Sequence, residues 1–324
     1  MNMLRGIGCV LLAWLLPASF VFAQALPAAP RLDGASAQTV LLWPGQPPGS
    51  PGPGPSGPEQ GGDSDGDVLG GAVFNVTRPR MVVYRPVRAN GTAVLLIGGG
   101  GYVRIGIGHE SMTTAQWLAR QGVTPVVLYY RLPGDGWPPA APFQDAQRAM
   151  RLLRARAAEL GLDPHRLGVL GFSAGGNLAG ITATRHAHAF YAPVDAADRL
   201  PSRPDFAGLI YPVISLQPPF DTTRSSRELG RQADAATAYS VDLHVGRDTS
   251  PTFLAHAADD PIAAVDNSLR MFDALRRQGV AAELHVFERG GHGWGMGRPG
   301  TPVAAWPGLF AAWARGHGFM AAGD

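Results

Sequence analysis

The sequence predicts an α/β protein, with a mostly parallel central sheet and helices on both faces. Three observations carry that expectation. From about Val68 onward, short apolar runs alternate with longer amphipathic stretches. One apolar run passes straight into four glycines, Gly98 to Gly101. Another passes through Gly171-Phe172-Ser173-Ala174-Gly175 into a stretch of small helix formers. With 324 residues, 45% of them apolar, the chain can bury one large core.

Taken in order, Met81–Tyr84, Ala93–Ile97, Thr124–Tyr129, Leu167–Leu170, Ala207–Tyr211, Thr252–His256 and Glu283–Phe287 read as strands. Continuous apolar runs of this length suit strands covered on both faces. Glu110–Gln121, Pro142–Leu160, Ala174–Arg185 and Val265–Gln278 read as helices. In the second of these, Ala146, Met150, Leu153, Ala157 and Leu160 recur at near-helical spacing. Gly161 supplies its stop, and Asp163-Pro164 succeeds it. The stretch between Tyr211 and Ser250 is expected to form a small cap over a pocket.

Upstream, Met1 to about Ala25 has the make-up of a signal peptide. Arg5 gives the positive start, Val10–Phe22 the apolar centre, and Val21-Phe22-Ala23 or Ala23-Gln24-Ala25 the small residues of a cleavage site. Export to the periplasm or the medium is the expectation, with no stable membrane span once the leader is removed. Pro44–Asp67 is dense in Pro, Gly, Ser and Asp and reads as a disordered linker or extended loop. The expected division is therefore a leader over 1–25, an extension or linker over 26–67 and a catalytic domain over 68–324.

Composition excludes several chemistries. All 27 basic residues are Arg, so neither a Schiff-base lysine nor a phosphate-loop lysine exists here. The single cysteine, Cys9, forbids an internal disulfide or a Cys-rich metal site and would leave with the leader. A net charge of +2, with no run of basic residues interleaved with aromatics, gives no reason to expect a nucleic-acid partner.

The chemistry-bearing residues lie at strand ends. Gly171–Gly175 fits G-x-S-x-G between a strand and a helix, a turn that holds a nucleophilic serine above the sheet edge. Ser173 is that serine. The glycines after Ala93–Ile97 bare the backbone, so the amides of Gly100 and Gly101, with that of Ala174, are the expected donors to an oxyanion. A phosphate loop is the rival reading, but the lysine and the G-x-G-x-x-G spacing are missing. His292, in Gly290–Gly295 after the last strand, is the expected base. His256 reads as a packed core or rim histidine, His109 as a weaker contact to substrate, and His186 and His188 as a solvated helix end. Asp259 and Asp260 both end a strand where a carboxylate reaches His292; Asp266 is placed to cap a helix instead. Ser, Asp, His is the chain order of α/β-hydrolases. Serine chemistry of this kind needs no cofactor and no metal. Tyr102 and Trp294 are the expected walls of the substrate pocket. Glu110 reads equally as helix N-terminal charge or as a contact to the site.

These residues resemble the bacterial acetyl esterases and acetylxylan-esterase-like α/β-hydrolases from about Leu41 to Phe319. The resemblance rests on Leu42-Trp43-Pro44-Gly45, Gly99-Gly100-Gly101-Tyr102 with His109-Glu110, Tyr130-Arg131-Leu132, and Gln144-Asp145-Ala146. It continues through Gly171–Gly176, Tyr211-Pro212-Val213-Ile214, Asp260-Pro261, Asn267-Ser268-Leu269 and Gly290–Trp294. It implies an α/β-hydrolase fold, a Ser173–Asp260–His292 triad with the acid just before proline, and hydrolysis of short acyl esters, often acetyl groups on cell-wall sugars. The chain departs from the pattern at Asn177, where the family often has histidine, and at Gly98, where related lipases and esterases have histidine. Two alternatives share the fold: a prolyl-oligopeptidase-type peptidase, whose usual propeller has no place in this chain, and an inactive hydrolase scaffold that only binds. The expected partner is a small-molecule or oligosaccharide ester.

Overall fold

In the computed structural model the residues described are 26, 28–49, 57–61 and 71–321. The expected signal peptide, 1–25, lies wholly outside them, as does much of the Pro/Gly-rich stretch.

An eight-stranded sheet forms the core. Its strands are β1 (Ala35–Leu41), β4 (Arg80–Pro86), β5 (Ala93–Ile97), β7 (Thr124–Tyr129), β8 (Leu167–Phe172), β9 (Phe206–Ile210), β10 (Thr252–Ala257) and β11 (Ala282–Phe287). The short strands β2 (Gln60–Gly61), β3 (Ala72–Phe74) and β6 (Ile105–Gly106) make a separate small sheet. The large sheet runs β1-β4-β7-β5-β8-β9-β10-β11. β1, β4 and β7 pair antiparallel, and every pair from β7 to β11 is parallel. All the predicted strands are present, with small shifts at their ends.

From β5 the chain first places β7 on one side, then returns to place β8 on the other. The order therefore reverses at β5 and β8, and a crevice opens beyond their carboxyl ends. The Gly98–Gly101 loop leaves one strand there, and Ser173 leaves the other. Position in the sheet thus brings together two segments far apart in the sequence, as the βαβ geometry allows.

The helices are α1 (Thr113–Arg120), α2 (Ala141–Ala155), α3 (Ala157–Leu160), α4 (Ala174–Thr184), α5 (Arg224–Leu229), α6 (Ala235–Ala238), α7 (Asp266–Arg277) and α8 (Trp306–Gly316). Two predicted helices are subdivided. Glu110–Gln121 becomes a π-helical turn, Ile107–Met112, that leads into α1. Pro142–Leu160 breaks at Arg156, whose φ of −104° and ψ of 14° leave the helical region. Every residue of α4 is buried, which explains its run of Gly and Ala: small side chains let it lie close to β8, β9 and α2.

Two features differ from expectation. β1 lies outside the predicted strands, because most of its side chains are exposed and it has no apolar run. The described parts of the Pro/Gly-rich stretch are tied down rather than loose. Gln60 and Gly61 pair with Phe74 and Val73, and Glu59 meets Arg80 at 2.6 Å, both nearly buried. Pro48 accepts a hydrogen bond from the Arg131 guanidinium at 2.7 Å. Among the described residues no helix is long and apolar enough to cross a membrane.

Candidate active site

Ser173 sits between β8 and α4 with φ 53° and ψ −118°, a region non-glycine residues avoid. The strain is held by bonds on both sides. Its amide donates to Ile210 O at 3.0 Å, and its carbonyl accepts from Asn177 and Val213. The turn exists because the flanking residues are tiny: a Cβ on Gly171 would lie 2.0 Å from Gly175 O, and one on Gly175 would lie 2.2 Å from Ile97 O.

His292 meets the serine: Ser173 Oγ lies 2.7 Å from His292 Nε2. On the other side of the ring, His292 Nδ1 lies 2.6 Å from Asp260 Oδ2. Burial pushes the Asp260 carboxyl up, but hydrogen bonds from His256 and His292 outweigh it and hold the group well below the usual carboxylate range. An ionised Asp260 only accepts, so Nδ1 carries the ring proton and Nε2 is left to accept from the serine hydroxyl.

The geometry separates the two candidate carboxylates. Asp260 faces the histidine ring. Asp259 Oδ1 accepts from the amides of Gly290 and Gly291, at 2.8 and 2.7 Å, and so anchors the loop that carries His292. Asp266 begins α7.

His256 has more to do than fill the core. It is fully buried, and its Nε2 lies 3.2 Å from Asp260 Oδ2 and 2.8 Å from Ala263 O. Both are acceptors, so Nε2 carries the proton, while Nδ1 accepts from Ser268 Oγ at 2.7 Å. Asp260 Oδ2 therefore has two imidazoles upon it, and Oδ1 accepts the amides of Ile262 and Ala263.

A cavity of about 350 Å³ opens over the serine, lined among others by Gly99, Gly100, Gly101, Ser173 and His292. The amides of Gly100, Gly101 and Ala174 donate to no group among the described residues. α4 begins at Ala174, so the positive end of its dipole faces the cavity. Thr223, Arg224 and Ser225, from the stretch expected as a cap, line the same cavity. A second cavity of about 590 Å³ adjoins it through His109, His292 and Gly293, and Trp294 forms part of its wall.

Tyr102 requires a correction. It is fully buried and lines neither cavity. Its φ of 62° turns the side chain inward, and its hydroxyl donates to Asn177 Oδ1 at 2.8 Å. Asn177, where the resembled family often has histidine, thus ties the glycine loop to α4. Trp294 lines the neighbouring cavity rather than the one over Ser173. His109 touches both.

Two residues that matter to the site are not among the expected site residues: Tyr211, which the sequence marks only as part of a family motif, and Trp306. Tyr211 comes just after β9 with φ 37°; its hydroxyl accepts from Gly295 N at 3.0 Å and donates to Glu110 Oε1 at 2.9 Å. Trp306 Nε1 donates to Gly295 O at 2.9 Å. A packing signal for Trp306 does exist: Trp306, Phe310 and Trp313 recur at helical spacing and are buried in α8. Among the described residues no group of three or more His, Cys, Asp or Glu side chains gathers as a metal would require.

Comparison with known proteins agrees with this architecture. The BD-FAE family model matches residues 81–275, which is more than half of the chain. The chain belongs to the BD-FAE family. The matched segment takes in Ser173 and Asp260, while His292 lies beyond it. An acetylxylan esterase of Xylanibacter ruminicola is 30% identical over 231 residues, 68% of this chain and 44% of that protein. Endo-1,4-beta-xylanase B of Butyrivibrio fibrisolvens is 30% identical over 204 residues, 62% of this chain and 32% of that one. The chain thus spans less than half the length of these two curated relatives. The crystal structure of an acetyl ester-xyloside bifunctional hydrolase from Caldicellulosiruptor lactoaceticus superposes with a TM-score of 0.75 at 33% identity, covering 88% of this chain and 97% of that one. The fold is that of the α/β-hydrolases.

Proposed function

We propose that this protein is a serine esterase that hydrolyses short acyl esters, acetyl esters foremost, of the kind carried by xylan or its oligosaccharides. The observation that carries this reading is the continuous line from Ser173 Oγ to His292 Nε2 at 2.7 Å and from His292 Nδ1 to Asp260 Oδ2 at 2.6 Å. These are bonding distances for a nucleophile, its base and the carboxylate that orients the base. His292 takes the serine proton as Ser173 attacks the ester carbonyl. The amides of Gly100, Gly101 and Ala174 receive the oxyanion. His292 then passes the proton to the departing alcohol, and an acyl-enzyme remains. Water, deprotonated by His292, releases the acid and restores the serine.

The small cavity over Ser173 favours a short acyl group. The leaving alcohol departs beside His292, where the second cavity presents Trp294, an aromatic wall of the kind on which sugar rings pack. The acetylxylan esterase and the acetyl ester-xyloside hydrolase among the relatives support the same substrate class. The leader-like residues at the N-terminus accord with export, where a polymeric ester would be met.

The test compares acetyl, butyryl and octanoyl esters of 4-nitrophenol with acetylated xylan, using Ser173→Ala as control. Acetyl should be preferred, and the alanine variant should lose at least about 10³-fold in kcat. Preference for octanoate, or an unaffected alanine variant, refutes the reading. A fluorophosphonate probe should label the native protein and not the variant.

A further inference from the structure

The cavity over Ser173 contains a buried carboxylate that the acyl-transfer steps do not use. Glu110 lies in the π-helical turn Ile107–Met112 and is 4% exposed. A carboxylate beside a developing oxyanion repels it, so its presence there calls for a compensating purpose.

Its contacts supply one. Gly99 N donates to Glu110 Oε2 at 2.6 Å, while the carbonyl of Gly98, at the other edge of the same peptide, accepts from Tyr130 Oη at 2.8 Å. That peptide plane is clamped at both ends. The next plane is held as well, because Gly99 O accepts from Gly106 N at 2.9 Å. In a trans peptide the N–H points opposite to the C=O, so the Gly100 amide is turned away from Gly106. The other carboxylate oxygen, Oε1, accepts from Tyr211 Oη, which in turn accepts from Gly295 N. Gly295 belongs to the loop that carries His292. One carboxylate therefore ties the glycine loop to the histidine loop.

The surrounding glycines are fitted to it. A Cβ on Gly106 would stand 2.6 Å from Glu110 Oε2, and a Cβ on Gly99 would stand 2.9 Å from Ser173 Cβ and 3.2 Å from Oε2. The π-helical turn, rare and often found at functional sites, is what carries the acid to this point ahead of α1. Glu110 also stands in the first turn of the helix that starts at Ile107 and runs on into α1, where negative charge suits the dipole. An exposed acid would serve that purpose equally and would not require the two bonds to Gly99 N and Tyr211 Oη.

We propose that Glu110 is a positioning residue for the reaction, holding the oxyanion loop and the histidine loop in one rigid frame about Ser173. The inference rests on the esterase reading. Two donors converge on its two oxygens, one on each. A glutamine can keep the Gly99 bond through its oxygen, but its NH₂ then faces Tyr211 Oη, which must accept instead of donate and leaves its own hydrogen without this acceptor. Glu110→Gln therefore keeps the shape and weakens the frame.

The experiment measures kcat and KM for 4-nitrophenyl acetate, with affinity for a trifluoromethyl ketone that forms a tetrahedral adduct on serine. For Glu110→Gln we expect kcat to fall about 10-fold or more with KM within about twofold, and ketone affinity to fall in step. Tyr211→Phe retains the Glu110–Gly99 bond and should lower kcat on its own. The double variant should lose less than the product of the two single losses, because both act in one network. A merely structural acid would lower thermal stability and leave kcat and ketone affinity unchanged below the melting point. That result in Glu110→Gln, or in Tyr211→Phe should the first variant fail to fold, overturns the proposal. Native protein inert to esters and unlabelled by a fluorophosphonate overturns the esterase reading and this inference with it; active native protein with an unchanged Glu110→Gln overturns this inference alone.

Discussion

At the scale of single residues, Asp260 concentrates the demands of the site. Four donors surround it: His292, His256 and two amides of its own turn. All four favour the ionised form, and against the opposing effect of burial they hold the carboxyl below its ordinary range. Asp260→Asn presents an amide that permits the wrong imidazole tautomer, so kcat should fall by up to about 10⁴-fold, read with 4-nitrophenyl acetate. The same change bears on stability, and its sign comes from linkage. A carboxyl depressed in the folded state contributes stability above its unfolded pKa of about 3.9 and loses it as pH falls toward the folded value. Urea titrations should therefore show native protein more stable than Asp260→Asn at neutral pH. The gap should narrow progressively as the pH falls below about 4. A gap that stays constant down to the acid transition would contradict the ionised, fully bonded state of Asp260.

At the scale of elements, what matters is how near α4 comes to the glycine loop. Gly175 faces the carbonyls of Ile97 and Gly98, and a methyl there would stand 2.2 and 2.6 Å from them. Alanine is the better helix former by about 1 kcal/mol, yet backbone atoms cannot yield as a flexible side chain can. Overpacking of this kind costs about 1–3 kcal/mol, so the clash should win. Gly175→Ala is expected to lower unfolding free energy and, by prising α4 from β5, to lower kcat for 4-nitrophenyl acetate well below the melting temperature. Unchanged stability and kcat would show that the two elements are less closely coupled. The same scale shows how far the sequence can be read. Buried strands carry continuous apolar runs, so β4, β5 and β7 to β10 are legible, while half-buried β11 shows an alternating pattern instead, Glu283-Leu284-His285-Val286; β1, mostly exposed, carries no apolar run. The glycines and Ser173 are legible because turns restrict residue type. Tyr102 misleads because a residue after four glycines looks free to face a pocket, whereas its left-handed backbone sends the ring inward to Asn177. Glu110, Asp259 and His256 stay ambiguous in sequence because their roles are hydrogen bonds to partners set by the fold, and spacing along the chain does not encode these.

At the scale of the whole molecule, three short motifs behind the family resemblance prove to be one structural unit. Trp43, Arg131 and Asp145 come from the segment after β1, the end of β7 and α2. Asp145 Oδ1 accepts from Trp43 Nε1 at 2.8 Å, and its two oxygens take the Arg131 guanidinium and the Arg131 amide. Both charged side chains are fully buried. Arg131 also reaches Pro48 O, Ala141 O and the Gln144 side chain. A planar fork with five donors can satisfy so many acceptors at once; the ammonium of lysine cannot. Here the all-arginine composition has a structural use, though this pair alone does not explain it. Removing one partner of such a pair strands the other's charge, which typically costs about 3–5 kcal/mol. Asp145→Asn should therefore destabilise the protein by that order in urea unfolding. The residues around Pro48 lose their anchor at the same time and should become more sensitive to limited proteolysis. Ser173 and its partners lie on other elements, so activity at low temperature should persist while stability falls. Equal loss of kcat and stability would mean that the N-terminal segment and the site form one cooperative unit rather than two.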